Sequence, residues 1–302
     1  MDTQLKQQRV SLIIPSFNGL SLLQQNLPAQ LNCLRDGDQI IIADDASLDK
    51  TENWLTKKFS LNAPVKLEDQ IGKFHLYKAD INFADKKLHL IYLKNKNNLR
   101  FAQNCNRAVR QSRYPLILLL NNDVIPQTDI LEFLLPHFQQ KNVFAVSCYE
   151  KEPCAQEIGG KNKLWFARGL FQHSRADNYQ SGETAWASGG SAMFDRKKWL
   201  ELDGFDPIFA PAYWEDIDLS YRAKKHNWKV WFEAKAKVIH DHESTNQDAF
   251  GQLKIMQMSW KNADQFTWKN GNLWQKLMYL LWRPYWWQQR KKVLLSLESK
   301  NE

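Results

Sequence analysis

Acidic residues stand at the ends of two strongly apolar segments of this chain. Asp44 and Asp45 end the segment QIIIADD, and Asp123 ends PLILLLNND. A carboxylate at the end of a buried strand can hold Mg²⁺ or Mn²⁺ and bind phosphate oxygens through the ion. Adjacent acids can also accept hydrogen bonds from hydroxyl or ring N–H groups. An Asx turn at Asp123 and a helix N-cap at Asp44 and Asp45 are the structural alternatives, and the residues alone leave both interpretations open.

A third acidic pair, Glu215 and Asp216, directly follows the aromatic residues Tyr213 and Trp214. A carboxylate beside aromatic rings can have a raised pKa and act as a general base toward a hydroxyl. The rings themselves could stack on a sugar. The same acids would also stabilise the first turn of a helix predicted over residues 215–228, whose last turn is basic. These two roles are compatible.

Two histidines, His240 and His242, alternate along a segment predicted to be extended, a strand or hairpin over residues 229–244. Alternate residues of a strand point to opposite faces, so both rings can bind one metal ion only if the strand bends. One of them could ligate Mn²⁺ or a similar ion through a neutral imidazole. For an isolated pair, a polar strand end is the favoured alternative.

Short aliphatic runs alternate with helical patterns in the first half of the chain. The predicted strands are 10–15, 39–45, 88–93 and 115–123, and the predicted helices are 21–34, with a kink or restart at Pro28, and 100–112. Continuous apolar strands separated by helices are typical of an α/β fold with a mostly parallel sheet covered on both faces. Such sheets bind ligands beyond the carboxyl ends of their strands. The polar residues stand at those ends: Ser16, Asn18, Asp44, Asp45, Asn121, Asn122 and Asp123.

The other segments have weaker patterns. Residues 50–87 are predicted as a helix followed by a partly irregular insertion, and residues 143–150 as a strand. Residues 183–205 are predicted as a Gly-Gly turn, a strand and a short helix.

Composition excludes several classes of protein. The 302 residues carry a net charge of +8, which favours phosphate-rich or anionic partners. The basic residues are dispersed outside the C-terminal tail and no nucleic-acid-binding motif is present, so we expect no nucleic-acid partner. Cys33, Cys105, Cys148 and Cys154 form no CxxC pair, which argues against a zinc knuckle, and they are too few for a disulfide framework. Neither a signal peptide nor an apolar run long enough to span a bilayer is found, so we expect a cytoplasmic protein.

The C-terminal tail combines aromatic and basic residues. Residues 272–300 combine Trp274, Trp282, Tyr285, Trp286 and Trp287 with Arg283, Arg290, Lys291 and Lys292. This composition suits an anionic membrane surface, so a peripheral association with the inner face of the cell membrane is one hypothesis. A helix pair packed on protein is the alternative. We expect Pro284 to break the helical pattern into two pieces.

Taken in order, seven segments resemble glycosyltransferase family 2, the inverting enzymes of GT-A fold that include rhamnosyltransferase-like bacterial members. The resemblance runs from about Val10 to Thr245. Each motif is loose by itself, but seven in the right order are specific. The segments are SLIIPSFNG, IIIADDASLD, NNLRFAQNCNRAV, LLLNNDVIP, SGGSAMFDRKKWLELDGFD, YWEDIDLSYRAKKHNWKV and VIHDHEST.

The resemblance implies a role for each matched position. Asp216, with Glu215, matches the pair that carries the catalytic base. Asp123 and His240 match the metal ligands for Mn²⁺ or Mg²⁺. The positions that match the donor-binding residues are Pro15, Ser16, Asn18, Asp44, Asp45, Arg100, Asn106 and Asn122. The positions that match the acceptor-binding residues are Gly189, Gly190, Tyr213 and Trp214.

Two positions depart from the family pattern. The usual DXD motif begins with an acid, and here Asn121 stands at that position. Metal binding would therefore depend on Asp123, His240 and the diphosphate of the donor. Arg100 stands where the family often has glycine, and it could either meet a phosphate or be a solvated residue at a helix start.

The resemblance implies direct displacement of a nucleoside diphosphate by an acceptor hydroxyl, with inversion. The predicted acceptor is a glycan or lipid-linked glycan of a bacterial surface polysaccharide. The predicted division is a catalytic domain over 1–245, with a nucleotide-binding half (1–125) and an acceptor-binding half (126–245), and a helical tail over 246–302. A non-catalytic nucleotide-sugar-binding protein of the same fold is the main alternative. A sugar nucleotidyltransferase is disfavoured because PSFNGLSLL lacks a basic residue.

Overall fold

The computed structural model describes residues 8–152, 158–240 and 251–298. His242 and Cys154 lie outside the described residues. The chain folds into two compact units: Met1–Asn162 with Arg175–Asp241, and Lys163–Ser174 with His242–Glu302.

A mixed sheet forms the centre of the first unit. In the part of the chain that the structure describes, its order is β12-β14-β8-β13-β6-β1-β2-β5-β4-β3, with β7 paired to β14 and β9 to β8. The strands are β1 (Val10–Ser16), β2 (Gln39–Asp44), β3 (Val65–Asp69), β4 (Gly72–Phe83), β5 (Lys86–Asn95), β6 (Leu116–Leu120), β7 (Val124–Pro126), β8 (Val143–Lys151), β9 (Ile158–Gly159), β12 (Gly182–Glu183), β13 (Ser191–Asp195) and β14 (Lys229–His240). A separate hairpin contains β10 (Asn162–Ala167) and β11 (Leu170–Arg175).

Helices follow most of the central strands. They are α1 (Leu20–Asn32), α2 (Thr51–Phe59), α3 (Arg100–Gln111), α4 (Ile130–Leu134), α5 (Arg196–Glu201), α6 (Glu215–Lys225), α7 (Gln252–Asn270) and α8 (Leu273–Glu298). Alternate residues of β1 pack on opposite sides. Leu12 and Ile14 join the core that includes Leu27 of α1, whereas Ile13 joins the core that includes Val109 of α3. The sheet is therefore covered on both faces, as its continuous apolar strands predict.

The register of the central strands brings their polar ends to one edge. β1 runs parallel to both β2 and β6, and Ser16 pairs with Asp44 in the first of these ladders. β13 runs antiparallel to β6, so the start of β13 at Ser191 lies opposite the end of β6 at Leu120. Loops from distant parts of the sequence meet at this edge for that reason.

Two local expectations were wrong, and the helix restart expected at Pro28 does not occur. The insertion after α2 is regular, because β3, β4 and β5 pair as antiparallel strands through long ladders. Its half-exposed faces weaken the apolar signal that marks the central strands. Pro28 and Pro284 lie inside continuous helices, α1 and α8. Proline removes one helical hydrogen bond, and at the solvent-exposed Pro284 the carbonyl left without a partner can be solvated.

The second unit is the hairpin with α7 and α8. Phe171 of the hairpin meets Phe266 of α7 edge to face, with ring centroids 5.2 Å apart. Trp286 of α8 donates to the carbonyl of Arg168 at 2.7 Å. Arg290 of α8 forms an ion pair with Asp264 of α7 at 2.6 Å. Among the described residues, no helix combines the length and apolar character needed to cross a bilayer.

Candidate active site

The loops after β1 and β2 are held together by hydrogen bonds. Asn18 lies in the left-handed region with φ 49°, which asparagine tolerates better than most residues. Its backbone N–H donates to Ser47 Oγ at 2.8 Å, and its Oδ1 accepts from Leu48 N at 2.8 Å. The N–H of Asp45 donates to the carbonyl of Ser16 at 2.9 Å. These bonds give a fixed shape to the edge that Pro15, Ser16 and Asn18 share.

The carboxylates of Asp44 and Asp45 mainly hold protein groups. Asp44 accepts from Ser47 N at 2.7 Å and from the Tyr92 hydroxyl. Asp45 accepts from Leu99 N and Arg100 N at 2.7 and 2.8 Å. Burial raises the pKa of Asp45, and these hydrogen bonds oppose that shift. Both acids therefore shape the loops at this edge, and neither caps helix α2, whose N-cap residue is Lys50.

The backbone conformation of Arg100 is one that glycine adopts more easily than other residues. Its φ is 67°, in the left-handed region that glycine enters without steric cost. The backbone N–H is held by Asp45, and the residue is exposed.

The structure does not bring Asn106 into the group of site residues. Its amide donates to the carbonyl of Phe205 at 2.7 Å and accepts from the N–H of the same residue at 2.9 Å. In the described structure, Asn106 thus fastens α3 to the segment that follows α5.

The segment after β6 is anchored from helix α1. Asn26 donates to the carbonyl of Asn122 at 2.9 Å, and Gln30 donates to that of Asn121 at 2.8 Å. The side chain of Asn122 reaches Ser16 Oγ at 3.2 Å. A Cβ on Gly19 would lie only 2.3 Å from the Asn122 amide nitrogen, so a larger residue there would force the Asn122 side chain to move. The segment is therefore fixed next to the β1 loop.

Asp123 and His240 come together at this edge. Strands β7 and β14 pair Val124 with His240, and His240 Nε2 lies 3.4 Å from Asp123 Oδ1. That oxygen is buried and accepts no hydrogen bond from the residues that the structure describes. Its contact with the His240 ring is long for a hydrogen bond, so this buried oxygen keeps the capacity to bind a further ligand.

The turn of Gly189 and Gly190 connects this pair to the second acidic group. The N–H of Asn121 donates to the carbonyl of Gly190 at 2.9 Å. A Cβ on Gly190 would lie 2.6 Å from His240 Cε1 and 2.8 Å from the Asn121 amide. On the other side, the N–H of Gly189 donates to Asp216 Oδ2 at 3.2 Å. The same turn therefore lies against both His240 and Asp216.

Glu215 and Asp216 begin helix α6 and differ in accessibility. Glu215 is buried and its Oε2 accepts no hydrogen bond among the described residues. Asp216 is half-buried and also accepts from Ile217 N at 2.8 Å. Burial raises the pKa of both carboxyl groups, and the charge of Asp216 raises that of Glu215 further. Of the two, Asp216 is the more accessible carboxylate.

The two aromatic residues before this pair are in an unusual conformation. Tyr213 and Trp214 have φ values of 75° and 78°. Bulky residues rarely adopt such angles, and backbone strain of this kind concentrates at functional sites. Trp214 is only 3% exposed, so the half-buried Tyr213 is the more accessible of the two rings.

Glu150 is a site residue that the sequence analysis missed. It is 3% exposed, and Ser191 Oγ and His240 Nδ1 donate to its Oε1 at 2.5 and 3.3 Å. Burial alone would lower the pKa of His240, but the charge of Glu150 and the contacts with both carboxylates raise it to about 10. An acid at the end of the apolar strand VFAVSCYE was the available signal.

The residues present fit a divalent ion that is completed by a ligand. Among the described residues, no group of three or more His, Cys, Asp or Glu side chains is arranged to hold a metal by itself. Asp123 and His240 supply two donors 3.4 Å apart, and neighbouring ligands of an octahedral ion lie about 3 Å apart. His240 would release its proton on binding.

The fold and this arrangement of acids at the carboxyl edge define a class of enzyme. A profile of the family described as "Glycosyl transferase family 2" matches residues 11–201. The chain therefore belongs to glycosyl transferase family 2, and the resemblance seen in its motifs is confirmed.

Individual relatives agree with this assignment. The O-antigen chain rhamnosyltransferase RfbN of Salmonella typhimurium (strain LT2) is 24% identical over 256 residues, which cover 80% of this chain and 69% of that protein. The mannosyltransferase PcManGT from Pyrobaculum calidifontis, solved with GDP-Man and Mn²⁺, matches with a TM-score of 0.55 at 14% identity. The match covers 97% of this chain and 81% of PcManGT. GalNAc-T7, solved with UDP, GalNAc and Mn²⁺, has the same TM-score and identity and covers 80% of this chain. The match spans only 44% of GalNAc-T7. The predicted α/β, GT-A fold is confirmed.

Proposed function

We propose that this glycosyltransferase moves a sugar from a nucleoside-diphosphate sugar to an acceptor hydroxyl with inversion, and that Asp216 is the general base. The observation that carries the proposal is the path of contacts from Asp216 through the Gly189–Gly190 turn to Asp123 and His240. A base and a candidate cation site that face one region are what direct displacement needs.

Each group has a distinct task in this proposal. Asp123 and His240 would hold Mn²⁺ or Mg²⁺ together with the diphosphate, and the bound ion would neutralise charge on the leaving group. The loops fixed by Asp44, Asp45 and Asn18 surround the nucleoside. Tyr213 and the Gly189–Gly190 turn lie beside Asp216 on the acceptor side. Asp216 takes the proton of the attacking hydroxyl.

Asp216 is a better base than Glu215 for two reasons. It is the more accessible of the two, and Gly189 N–H holds its Oδ2 in a fixed direction. Burial, the largest influence on either group, disfavours the charged form of Glu215. A neutral Glu215 beside an ionised Asp216 avoids two adjacent buried charges.

One relative favours a bacterial polysaccharide as the product. RfbN is an O-antigen chain rhamnosyltransferase, so we propose a glycan or lipid-linked glycan acceptor and a role in surface polysaccharide synthesis on the cytoplasmic side of the membrane. We also propose the division into a catalytic domain over 1–245 and a helical tail over 246–302. A panel of UDP-, dTDP- and GDP-sugars, screened by thermal shift with Mn²⁺, would identify the donor.

The Asp216→Asn variant tests the proposal. We expect turnover of the identified donor, measured as release of nucleoside diphosphate, to fall about 10²–10⁴-fold. Donor affinity should be retained, because Asn keeps the size of the side chain. Glu201→Gln, an exposed change on α5, is the matched control and should be neutral.

Two outcomes would contradict parts of this proposal. Near-normal turnover in Asp216→Asn would remove Asp216 as the base. Donor binding without any turnover in the wild type, with Mn²⁺ and with EDTA alike, would favour the non-catalytic alternative.

We further propose that helix α8 rests on an anionic membrane surface. One side of α8 packs in the second unit through Trp286 and Arg290. The other side is exposed and mainly apolar at helical spacing. Its residues are Leu273, Leu277, Leu280, Leu281, Pro284, Trp287 and Leu295. Three of them are 87%, 63% and 64% exposed: Leu273, Leu281 and Trp287.

The charge of this helix favours anionic lipid over another occupant. The chain has no acidic residue between Asp264 and Glu298, whereas Lys276, Arg283, Lys291 and Lys292 stand along α8. Apolar residues with flanking basic residues bind at the boundary between acyl chains and anionic headgroups.

Vesicle co-sedimentation tests this surface. The wild type should bind phosphatidylglycerol-containing vesicles more strongly than pure phosphatidylcholine, and Leu277→Glu/Leu281→Glu should lose most of that binding. Val65→Glu/Leu67→Glu, which adds the same charge to the exposed edge strand β3, should bind normally. Equal binding by both double variants would reject the surface, and self-association of the wild type without lipid would favour a protein partner.

A further inference from the structure

We propose that Glu150 is a positioning residue, which fixes the ring of His240 so that Nε2 faces Asp123. This inference rests on the proposed role of His240 as a metal ligand.

The contacts of His240 determine which ring nitrogen is available. Nδ1–H donates to Glu150 Oε1 at 3.3 Å, and Nε2 lies 3.4 Å from Asp123 Oδ1. A hydrogen kept on Nδ1 leaves Nε2 as the nitrogen that can coordinate an ion. Carboxylates that hold the second nitrogen of a ligating histidine fix its tautomer and orientation in this way.

The protein holds Glu150 itself in place. Ser191 Oγ donates to Glu150 Oε1 at 2.5 Å. Gly159 pairs with Glu150 across β8 and β9, and a Cβ at that position would lie 2.8 Å from Glu150 Oε2. The carboxylate therefore sits in a space that needs both a hydroxyl donor and the absence of a side chain.

Glu150 is too deeply buried to act only as a charged surface residue. It is 3% exposed, and His240 is 2% exposed. A buried carboxylate is costly unless it is paired and hydrogen-bonded. Strand β14 runs parallel to β8, with Val238 opposite Glu150, so the strand pairing sets the distance between carboxylate and imidazole.

Mn²⁺ binding gives a test that does not depend on turnover. Mn²⁺ affinity would be measured by electron paramagnetic resonance, with the metal alone and with the nucleoside diphosphate of the identified donor. Coupling of Mn²⁺ to the ¹⁴N of imidazole would report whether His240 is a ligand. His240→Ala serves as the reference without that coupling.

We expect Glu150→Ala to weaken Mn²⁺ binding about 10–100-fold and to reduce the ¹⁴N coupling. Glu150→Gln keeps an oxygen acceptor and should restore part of both. Glu152→Gln is the matched control, because Glu152 lies close by, just beyond the end of β8, is also buried and pairs with Arg175. It should leave Mn²⁺ binding unchanged.

The possible results separate this inference from the proposed reaction. Wild-type affinity and ¹⁴N coupling in a folded Glu150→Ala would overturn the positioning role. If Glu150→Ala does not fold, the same results in Glu150→Gln and Ser191→Ala together would overturn it. A wild type that binds Mn²⁺ without ¹⁴N coupling also overturns it. Loss of turnover in Asp216→Asn with unchanged Mn²⁺ binding bears only on the base.

Discussion

At the scale of single residues, partners decide what each carboxylate can do. Asp45 receives three hydrogen bonds from Asn95, Leu99 and Arg100, so it is committed to holding a loop. Asp123 keeps an oxygen that accepts no hydrogen bond among the described residues. Asp216 is held by two backbone N–H groups and stays partly accessible. Residues of one chemical type thus differ in whether protein groups occupy them or leave them able to meet a ligand.

The pKa of Asp216 predicts the pH dependence of turnover. A general base acts when it is ionised, and burial raises this pKa above its ordinary value of 3.8. We therefore expect kcat/KM to fall about tenfold per pH unit on the acid side of a midpoint above that value. A profile that stays level down to pH values near 4 would contradict the assignment.

The same shift predicts a stability effect in Asp216→Asn. A raised native pKa means that the folded state binds the proton more tightly than the unfolded state does. Protonated Asp216 therefore stabilises the fold at low pH, and this stabilisation is lost as pH rises through the native pKa. Removing the charge should make Asp216→Asn at least as stable as the wild type at pH 8, measured by urea unfolding. A large loss of stability there would mean that its reduced turnover reports misfolding.

At the scale of elements, Arg107 ties the β3–β4 hairpin to helix α3. Its guanidinium donates to both oxygens of Asp69, to Asn95 Oδ1 at 2.6 Å and to the carbonyl of Gly72 at 2.9 Å. Asn95 in turn donates to Asp45 at 2.9 Å. The antiparallel extension is therefore connected to the loop beside the candidate donor site.

We expect Arg107→Ala to lower the free energy of unfolding by roughly 3 kcal/mol, because it leaves the buried Asn95 and the partly buried Asp69 without their partner. Arg107 is 1% exposed. Arg110→Ala on the exposed side of α3 is the control and should change stability little. Urea denaturation of the three proteins measures the difference, and equal midpoints would show that the network adds nothing.

At the scale of the whole molecule, the distribution of charge favours binding to an anionic surface. The net charge is +8, and α8 adds basic residues without acidic ones up to Glu298. Surface electrostatics of this type act over about 10 Å at 0.1 M salt and are screened above it. Apolar burial of Leu and Trp side chains is much less sensitive to salt.

Salt titration should therefore separate two components of vesicle binding. We expect binding to phosphatidylglycerol vesicles to fall severalfold as salt rises from about 0.05 to 0.5 M. The binding that remains at high salt is apolar, and Leu277→Glu/Leu281→Glu should remove it. Co-sedimentation across the titration measures both. Binding that does not change with salt would exclude the basic residues of α8 as contributors.

The sequence by itself determined the central strands, the order of the motifs and the family. Continuous apolar runs such as QIIIAD are buried on both faces whatever surrounds them, so their local pattern is enough. The proximity of Asp123 and His240 was implied by the family resemblance. Only the tertiary structure determined that Asp45 is occupied by backbone donors, that Glu150 reaches His240, and that the hairpin of residues 163–174 joins the C-terminal helices. Those facts depend on strand register and on contacts between residues far apart in sequence, which no local pattern encodes.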